Sequence, residues 1–209
     1  MTDTRITPAG LRRMLLAAAD KIVREESNLN ALDAAVGDGD HGITMRLGFE
    51  AVKKRIGELA PDTTFETLLR ESGLAFMGAT GGAIGVILGK MLMSGASSLR
   101  GISEMGTPEF KTMMTAMNNA IAQAGRARPG DKTILDAVHA AANSVDVRQG
   151  IFEALSQAAC AAAGAAQGTA NMICRVGRAS KLGDRALGHP DPGAVSFSII
   201  LQAFAEASR

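Results

Sequence analysis

The run Leu32-Asp33-Ala34-Ala35-Val36-Gly37-Asp38-Gly39-Asp40-His41-Gly42 constrains this chain more than any other. It sets three carboxylates, three glycines and a histidine between two apolar, helix-forming segments. Asp33, Asp38 and Asp40 stand at i, i+5 and i+7, and helical neighbours recur at i+3 and i+4, so no single helix face presents all three. A loop between two helices can gather them, and Gly37, Gly39 and Gly42 let the backbone fold tightly there. Carboxylates this close repel one another unless a cation sits between them. The run therefore reads as a hard-cation site, Mg²⁺ with phosphate, at one end of a helical scaffold. A single Asp-Gly pair would mark only a turn, and Asp33 alone would serve as a cap or a solvated acid; the combination asks for more than either. An EF-hand is excluded, because the bidentate Glu that closes its loop would fall, counted from Asp33, on Thr44.

Composition narrows the fold class. The 209 residues suit one domain with a sizeable core, and 46% hydrophobic content excludes a disordered chain. Trp and Tyr are absent and Phe numbers seven, so Ala, Leu and Met carry the apolar content; these favour helix, and the expectation is all-α. A net charge of +1, with no basic tract and no aromatic platforms for stacking bases, argues against a nucleic-acid partner. Cys160 and Cys174 lie in Ala-rich, helix-forming sequence and read as buried free thiols of a reducing compartment. Met1–Arg5 lacks a signal-peptide core and no apolar run reaches spanning length, so a cytoplasmic protein with no membrane contact is expected.

Helix starts are legible along the chain. Thr7-Pro8 opens a first helix with Leu11, Met14, Leu15, Ala18 and Ile22 at helical spacing, predicted to run to about Ser27. A second begins near Gly42 and turns Met45, Phe49, Val52 and Ile56 inward. After Pro61-Asp62-Thr63-Thr64, a third carries Leu68, Leu69 and Phe76. The Gly-rich stretch Gly78–Gly85 opens a fourth, with Ile87, Leu88, Met91 and Leu92. Thr107-Pro108-Glu109 starts a fifth, ended by Arg128-Pro129-Gly130-Asp131. A sixth carries Ile134, Leu135 and Val138; a seventh starts near Arg148 and an eighth near Pro192. Met91, Met93, Met113, Met114 and Met117 read as core filler, and His139 as a packed or surface histidine. The Gly-, Asp- and His-rich segment from Ser180 to Gly193 is long for a bundle loop, which points to function.

In an up-and-down antiparallel bundle every second loop lies at the same end. The acidic run, the Gly-rich stretch, Arg128–Thr133 and Ser180–Gly193 then converge, giving metal ligands from the first loop and helix N-termini for phosphate. No Walker A sequence follows Gly81-Gly82-Ala83-Ile84-Gly85, and the protein-kinase signatures are absent.

The motifs Leu32–Gly42, Gly81-Gly82-Ala83, Pro129-Gly130-Asp131-Lys132-Thr133, Gly177-Arg178-Ala179-Ser180 and Gly188–Ala194, in this order and spacing, resemble the nucleotide-binding L subunits of dihydroxyacetone kinase, the DhaL family. The resemblance spans essentially the whole chain, 1–209, as one DhaL-type domain. It implies a closed barrel of eight antiparallel helices with Mg-ADP or Mg-ATP at one rim. Asp33, Asp38 and Asp40 match the carboxylates that hold two Mg²⁺ ions. His41, Gly42, Ile43 and Thr44 match phosphate-contacting positions; Gly82, Ala83, Ile84, Gly125, Ile134, Arg178, Asp191, Pro192 and Gly193 match other nucleotide contacts. His41 and Arg178 are the implied catalytic residues. The implied activity is phosphoryl donation to a short ketose held through a histidine on a separate K-type subunit. ADP is then either a bound coenzyme recharged by a phosphohistidine protein of a sugar phosphotransferase system or a product exchanged for free ATP, and no residue decides between them. Thr44 stands where the family often has Asn, and Ile84 where it often has Ser; Ile cannot hydrogen-bond phosphate, so that loop must use backbone N–H groups. The alternative is a non-catalytic, nucleotide-dependent regulatory module, against which the complete carboxylate set argues. Metal storage would need Glu-x-x-His pairs on helices, and the sequence has none.

Overall fold

Capping residues start the helices where the sequence places them. Thr7 accepts from the Gly10 N–H at 3.2 Å, Thr64 from Thr67 at 3.2 Å, Thr133 from Leu135 at 3.2 Å and Asp191 from Ala194 at 2.7 Å. The structure, a computed structural model, describes residues 5–208 and all side chains among them except those at 178, 179, 181 and 182. Among the described residues there are nine α-helices and no strand: α1 Pro8–Arg24, α2 Glu26–Val36, α3 His41–Glu58, α4 Phe65–Ala79, α5 Gly82–Ser98, α6 Thr107–Gly125, α7 Ile134–Ser144, α8 Ile151–Gly168 and α9 Pro192–Ala207.

The ninth helix comes from a break the sequence does not announce. The predicted first helix is interrupted at Glu25 (φ −91°, ψ 4°), whose N–H is shared between the Lys21 and Ile22 carbonyls. The backbone tightens there and restarts with Leu29 N–H on the Glu25 carbonyl. With α1 and α2 taken as one bent helix, the expected eight are recovered. The fifth predicted helix stops at Gly125, earlier than Arg128, because Arg126 adopts a left-handed cap (φ 49°). The seventh starts at Ile151, since Asp146 folds back on the Arg148 N–H (3.0 Å) and holds those residues in a turn.

Each helix packs on its neighbour in the chain, and α9 packs back on α1, so the ring closes around a core of Leu, Ile, Met, Ala and Phe. Phe49 and Phe76 meet edge to face in it, with centroids 5.6 Å apart. Gly48 of α3 makes room for that contact, since a Cβ there would land on the Phe76 ring. Alternation then sorts the loops. At one end Ile6 pairs with Met105, and the Thr107 hydroxyl donates to the Gln149 carbonyl at 2.8 Å. The α2–α3, α4–α5, α6–α7 and α8–α9 connections meet at the other rim, around a single cavity. No helix of the described residues is long and apolar enough to cross a membrane.

Candidate functional site

The cavity at that rim measures about 840 Å³, and all four loops line it. Asp33 organises its acidic side. The sequence reading placed Asp33 in the loop; it lies instead on the last turn of α2, and residues 37–40 fold around its carboxylate. Asp33 Oδ2 accepts from the backbone N–H groups of Gly39 (2.9 Å), Asp40 (3.0 Å) and His41 (3.3 Å). Two glycines permit this. A Cβ on Gly37 would collide with Asp33 Oδ1, and Gly39 takes a left-handed φ of 79°. One carboxylate oxygen from each of Asp33, Asp38 and Asp40 then falls within 4.8 Å of the others. Neither Asp33 nor Asp40 is paired with a lysine or arginine among the described residues. An all-oxygen, anionic donor set at the negative end of α2 fits a hard divalent cation such as Mg²⁺.

The other side of the cavity is suited to anions. Helices α3, α5, α7 and α9 all begin at this rim, but their N-termini are not equivalent. In α7 the Leu135 N–H is taken by Thr133 Oγ1, with Asp136 accepting in turn from the Thr133 N–H, and in α9 the Ala194 N–H is taken by Asp191. In α3 the His41 N–H is spent on Asp33 and the Ile43 N–H on Asn30 Oδ1 at 3.1 Å. Helix α5 opens at Gly81-Gly82, with Gly82 at φ 72°, and Gly81 offers no side chain to cap it. Its leading N–H groups therefore have neither an intrahelical nor a capping acceptor, and Gly82, Ala83 and Ile84 face the cavity.

Most of the residues singled out in the sequence meet here. Asp33, Asp38, Asp40, His41, Thr44, Gly82, Ala83, Ile84, Gly125, Ile134, Asp191, Pro192 and Gly193 all line the cavity. Gly42 and Ile43 do not. Gly42 faces α2, where a Cβ would lie 2.7 Å from Asn30 Oδ1 and collide with the Glu26 carbonyl, so it serves close packing of two helices. The Ile43 side chain is 41% exposed on the outside. The Arg178 side chain lies outside the described residues; Gly177 beside it lines the cavity.

His41 is buried, with Nε2 3.1 Å from Ser196 Oγ, which itself donates to the Gly193 carbonyl at 2.9 Å. Burial pushes its pKa down to about 4 against the opposing pull of the Asp33 charge and the Pro192 carbonyl, so the imidazole is neutral at neutral pH. Asp191 is shifted the other way. Burial, with Asp136 and Asp33 adding to it, raises its carboxyl to about 7, while the Ala194 N–H and Lys132 pull back. Residue-by-residue reading missed Lys132, Asp136, Thr169 and Ser196. Lys132 and Asp136 sit in or just after the Pro-Gly-Asp-Lys-Thr motif, which was the available signal; Thr169 and Ser196 give none, since their partners are remote in sequence.

Comparison with known proteins agrees with this fold. The DAK2 domain model matches residues 35–206. The ADP-binding subunit DhaL of PEP-dependent dihydroxyacetone kinase 2 from Listeria innocua is 36% identical over 192 residues, 88% of this chain and 88% of that protein. The corresponding Escherichia coli subunit is 32% identical over 93% of this chain and 94% of its own length. Among solved structures, the native dihydroxyacetone kinase of C. freundii superposes with a TM-score of 0.73 at 25% identity, covering 94% of this chain but 34% of that longer one. The same enzyme in complex with AMP-PNP and Mg²⁺ gives 0.72 at 24% identity. The chain belongs to the DAK2-domain family, among the DhaL-type subunits of dihydroxyacetone kinases.

Proposed function

We propose that this chain is the Mg-nucleotide-binding, phosphoryl-donor subunit of a two-component kinase acting on dihydroxyacetone or a related short ketose. The observation that carries this is the pairing, across one cavity, of three convergent carboxylates with the uncapped N-terminus of α5. Asp33, Asp38 and Asp40 would hold two Mg²⁺ ions, which when bound supply charge neutralisation at phosphate oxygens. The Gly82, Ala83 and Ile84 N–H groups bind phosphate through the backbone, so Ile84 in place of a hydroxyl residue costs little. Ile84, Ile121 and Ile134 give an apolar wall for a base, with Gly125 and Gly193 in the same lining. His41, its ring held by Ser196 and the Pro192 carbonyl, is proposed to position the nucleotide from the cavity wall, and Arg178 to stabilise charge on the transferred group. Phosphoryl transfer asks little covalent chemistry of the protein; positioning and charge stabilisation dominate.

In this reading residues 1–209 act as one nucleotide-binding domain in the cytoplasm, and the ketose is held on a K-type subunit. The names of the L. innocua and E. coli relatives, both PEP-dependent and ADP-binding, favour ADP as a resident coenzyme recharged by a phosphotransferase-system protein over exchange with free ATP. The test is to denature the purified protein, chromatograph what is released, and repeat after incubation with Mg-ATP. ADP that resists exchange supports the coenzyme mode, and free exchange supports an ATP-dependent kinase. No nucleotide under either condition overturns the donor reading. Bound nucleotide with no phosphoryl transfer beside a K-type subunit leaves the regulatory module.

A further inference from the structure

Lys132 is buried at 2% exposure, and no other lysine or arginine among the described residues is buried. Its backbone takes a left-handed φ of 62°, a conformation that a lysine keeps only when its surroundings enforce it. Its ammonium donates to the Thr169 carbonyl at 2.5 Å and to the His189 carbonyl at 2.6 Å. These two carbonyls bracket the long segment joining α8 to α9. Two more bonds close the same base: Gly188 N–H to the Ala170 carbonyl (2.9 Å) and Asp191 N–H to Thr169 Oγ1 (2.8 Å). Inside the segment, the Arg175 N–H reaches the Asp131 carbonyl, next to Lys132, at 3.2 Å. The segment supplies Cys174, Val176 and Gly177 to the cavity wall and ends at Asp191-Pro192-Gly193, which line it too. A buried ammonium is a poor general stabiliser, because its desolvation offsets most of what its partners return. Its value here is geometric: one cation gathers two chain segments into one wall.

We propose that Lys132 is a positioning residue of the nucleotide site, closing the base of the 170–188 segment and so setting the wall formed by that segment and the start of α9. The proposal rests on the nucleotide reading above. Lys132→Met removes the charge and the donors at similar length, Lys132→Gln keeps one donor group, and Lys132→Arg keeps both charge and donors. Leu68→Ala, a core change in α4, controls for general loss of stability. Three readouts are taken on nucleotide-stripped protein: Mg-ADP affinity by calorimetry, Mn²⁺ affinity without nucleotide by electron paramagnetic resonance, and amide exchange of peptides covering 170–190. Lys132→Met is expected to weaken Mg-ADP roughly tenfold or more and to speed exchange in 170–190 by a similar factor, with Mn²⁺ affinity held within about twofold. Lys132→Gln falls between, Lys132→Arg restores most of the loss, and Leu68→Ala lowers the melting temperature with Mg-ADP affinity unchanged. The proposal is overturned if Lys132→Met keeps native Mg-ADP affinity and native exchange, if Mn²⁺ affinity falls in parallel, or if the Met and Gln variants both fail to fold. Should the unsubstituted protein bind Mn²⁺ but not Mg-ADP, the nucleotide reading fails instead, while the exchange data still show whether Lys132 holds the segment.

Discussion

Replacing Gly37 with alanine probes the acidic site without touching a carboxylate. A Cβ at Gly37 collides with Asp33 Oδ1 and lies 3.1 Å from Asp33 Cγ, so the carboxylate has to rotate away. Rotation gives up the bonds from Gly39 (2.9 Å), Asp40 (3.0 Å) and His41 (3.3 Å). Hydrogen bonds to a charged acceptor contribute about 1.5–3 kcal/mol each, but these N–H groups sit at a rim where water can replace part of the loss. The third bond is long, and alanine recovers about 0.4–1 kcal/mol by restricting the unfolded chain. A net loss of about 2 kcal/mol follows, or about 4–8 °C in melting temperature for a chain of this length. The effect on metal should be larger in proportion: a ligand that has lost its orienting bonds costs about 10–100-fold in affinity. The assay is a Mn²⁺ titration beside a thermal melt, with Gly164→Ala as the control. Gly164 lies inside α8 with open space where a Cβ would go, so alanine there should stabilise by about 0.5–1 kcal/mol and leave Mn²⁺ binding alone. Native Mn²⁺ affinity in Gly37→Ala would refute the argument that Asp33, held by the loop that wraps it, organises the site.

Asp38→Ala and Asp40→Ala should each abolish Mg-nucleotide binding while leaving the helical circular dichroism intact; retained affinity in either removes that side chain from the metal set. Gly48→Ala should destabilise by about 1–3 kcal/mol, because its Cβ meets the Phe76 ring inside a close-packed seam, and chemical denaturation will measure it. Acidification should act on the two shifted groups in opposite directions. His41, held near 4 when folded against 6.5 unfolded, gives up stability as pH falls from about 6.5 toward 4, since the unfolded chain takes the proton first. Asp191, raised to about 7 from 3.8, gains stability over the fall from about 7 toward 4, because there the folded chain holds the proton. Denaturation against pH should thus show a steeper acid loss than native in Asp191→Asn and a shallower one in His41→Gln. The reverse order contradicts both assignments.

The parts of this fold legible in the sequence are those set by local chemistry. Thr7-Pro8, Thr64, Thr133 and Asp191 announce helix starts because a cap acts within three residues. Convergence of the four loops followed from alternation alone. The bend at Glu25 was not legible: Arg24-Glu25-Glu26 contains no Gly or Pro, and both halves pack on α3 while α1 also packs along α9, contacts remote in sequence. Nor could the three glycines of the acidic run be told apart. Gly37 yields space to a carboxylate, Gly39 supplies a left-handed turn, and Gly42 lets α3 approach α2. The motif marked Lys132 but not what it holds, since Thr169 and His189 stand 37 and 57 positions away along the chain.

The departures at Thr44 and Ile84 gain their meaning from that closure. A helix N-terminus binds an anion best with N–H groups to spare, and of the four that begin at this rim α7 and α9 each carry a side-chain cap, Thr133 and Asp191. Helix α3 gives its His41 and Ile43 N–H groups to Asp33 and Asn30, which ties its start to the carboxylates. Helix α5 alone opens on two glycines with no cap, so the position where a hydroxyl would help is the one where the backbone already suffices. Ile84 can therefore turn its side chain to the apolar wall and leave its N–H available to an anion. A negative cluster and a positive helix end, facing each other across a cavity of nucleotide size, then match the two poles of a metal–phosphate ligand.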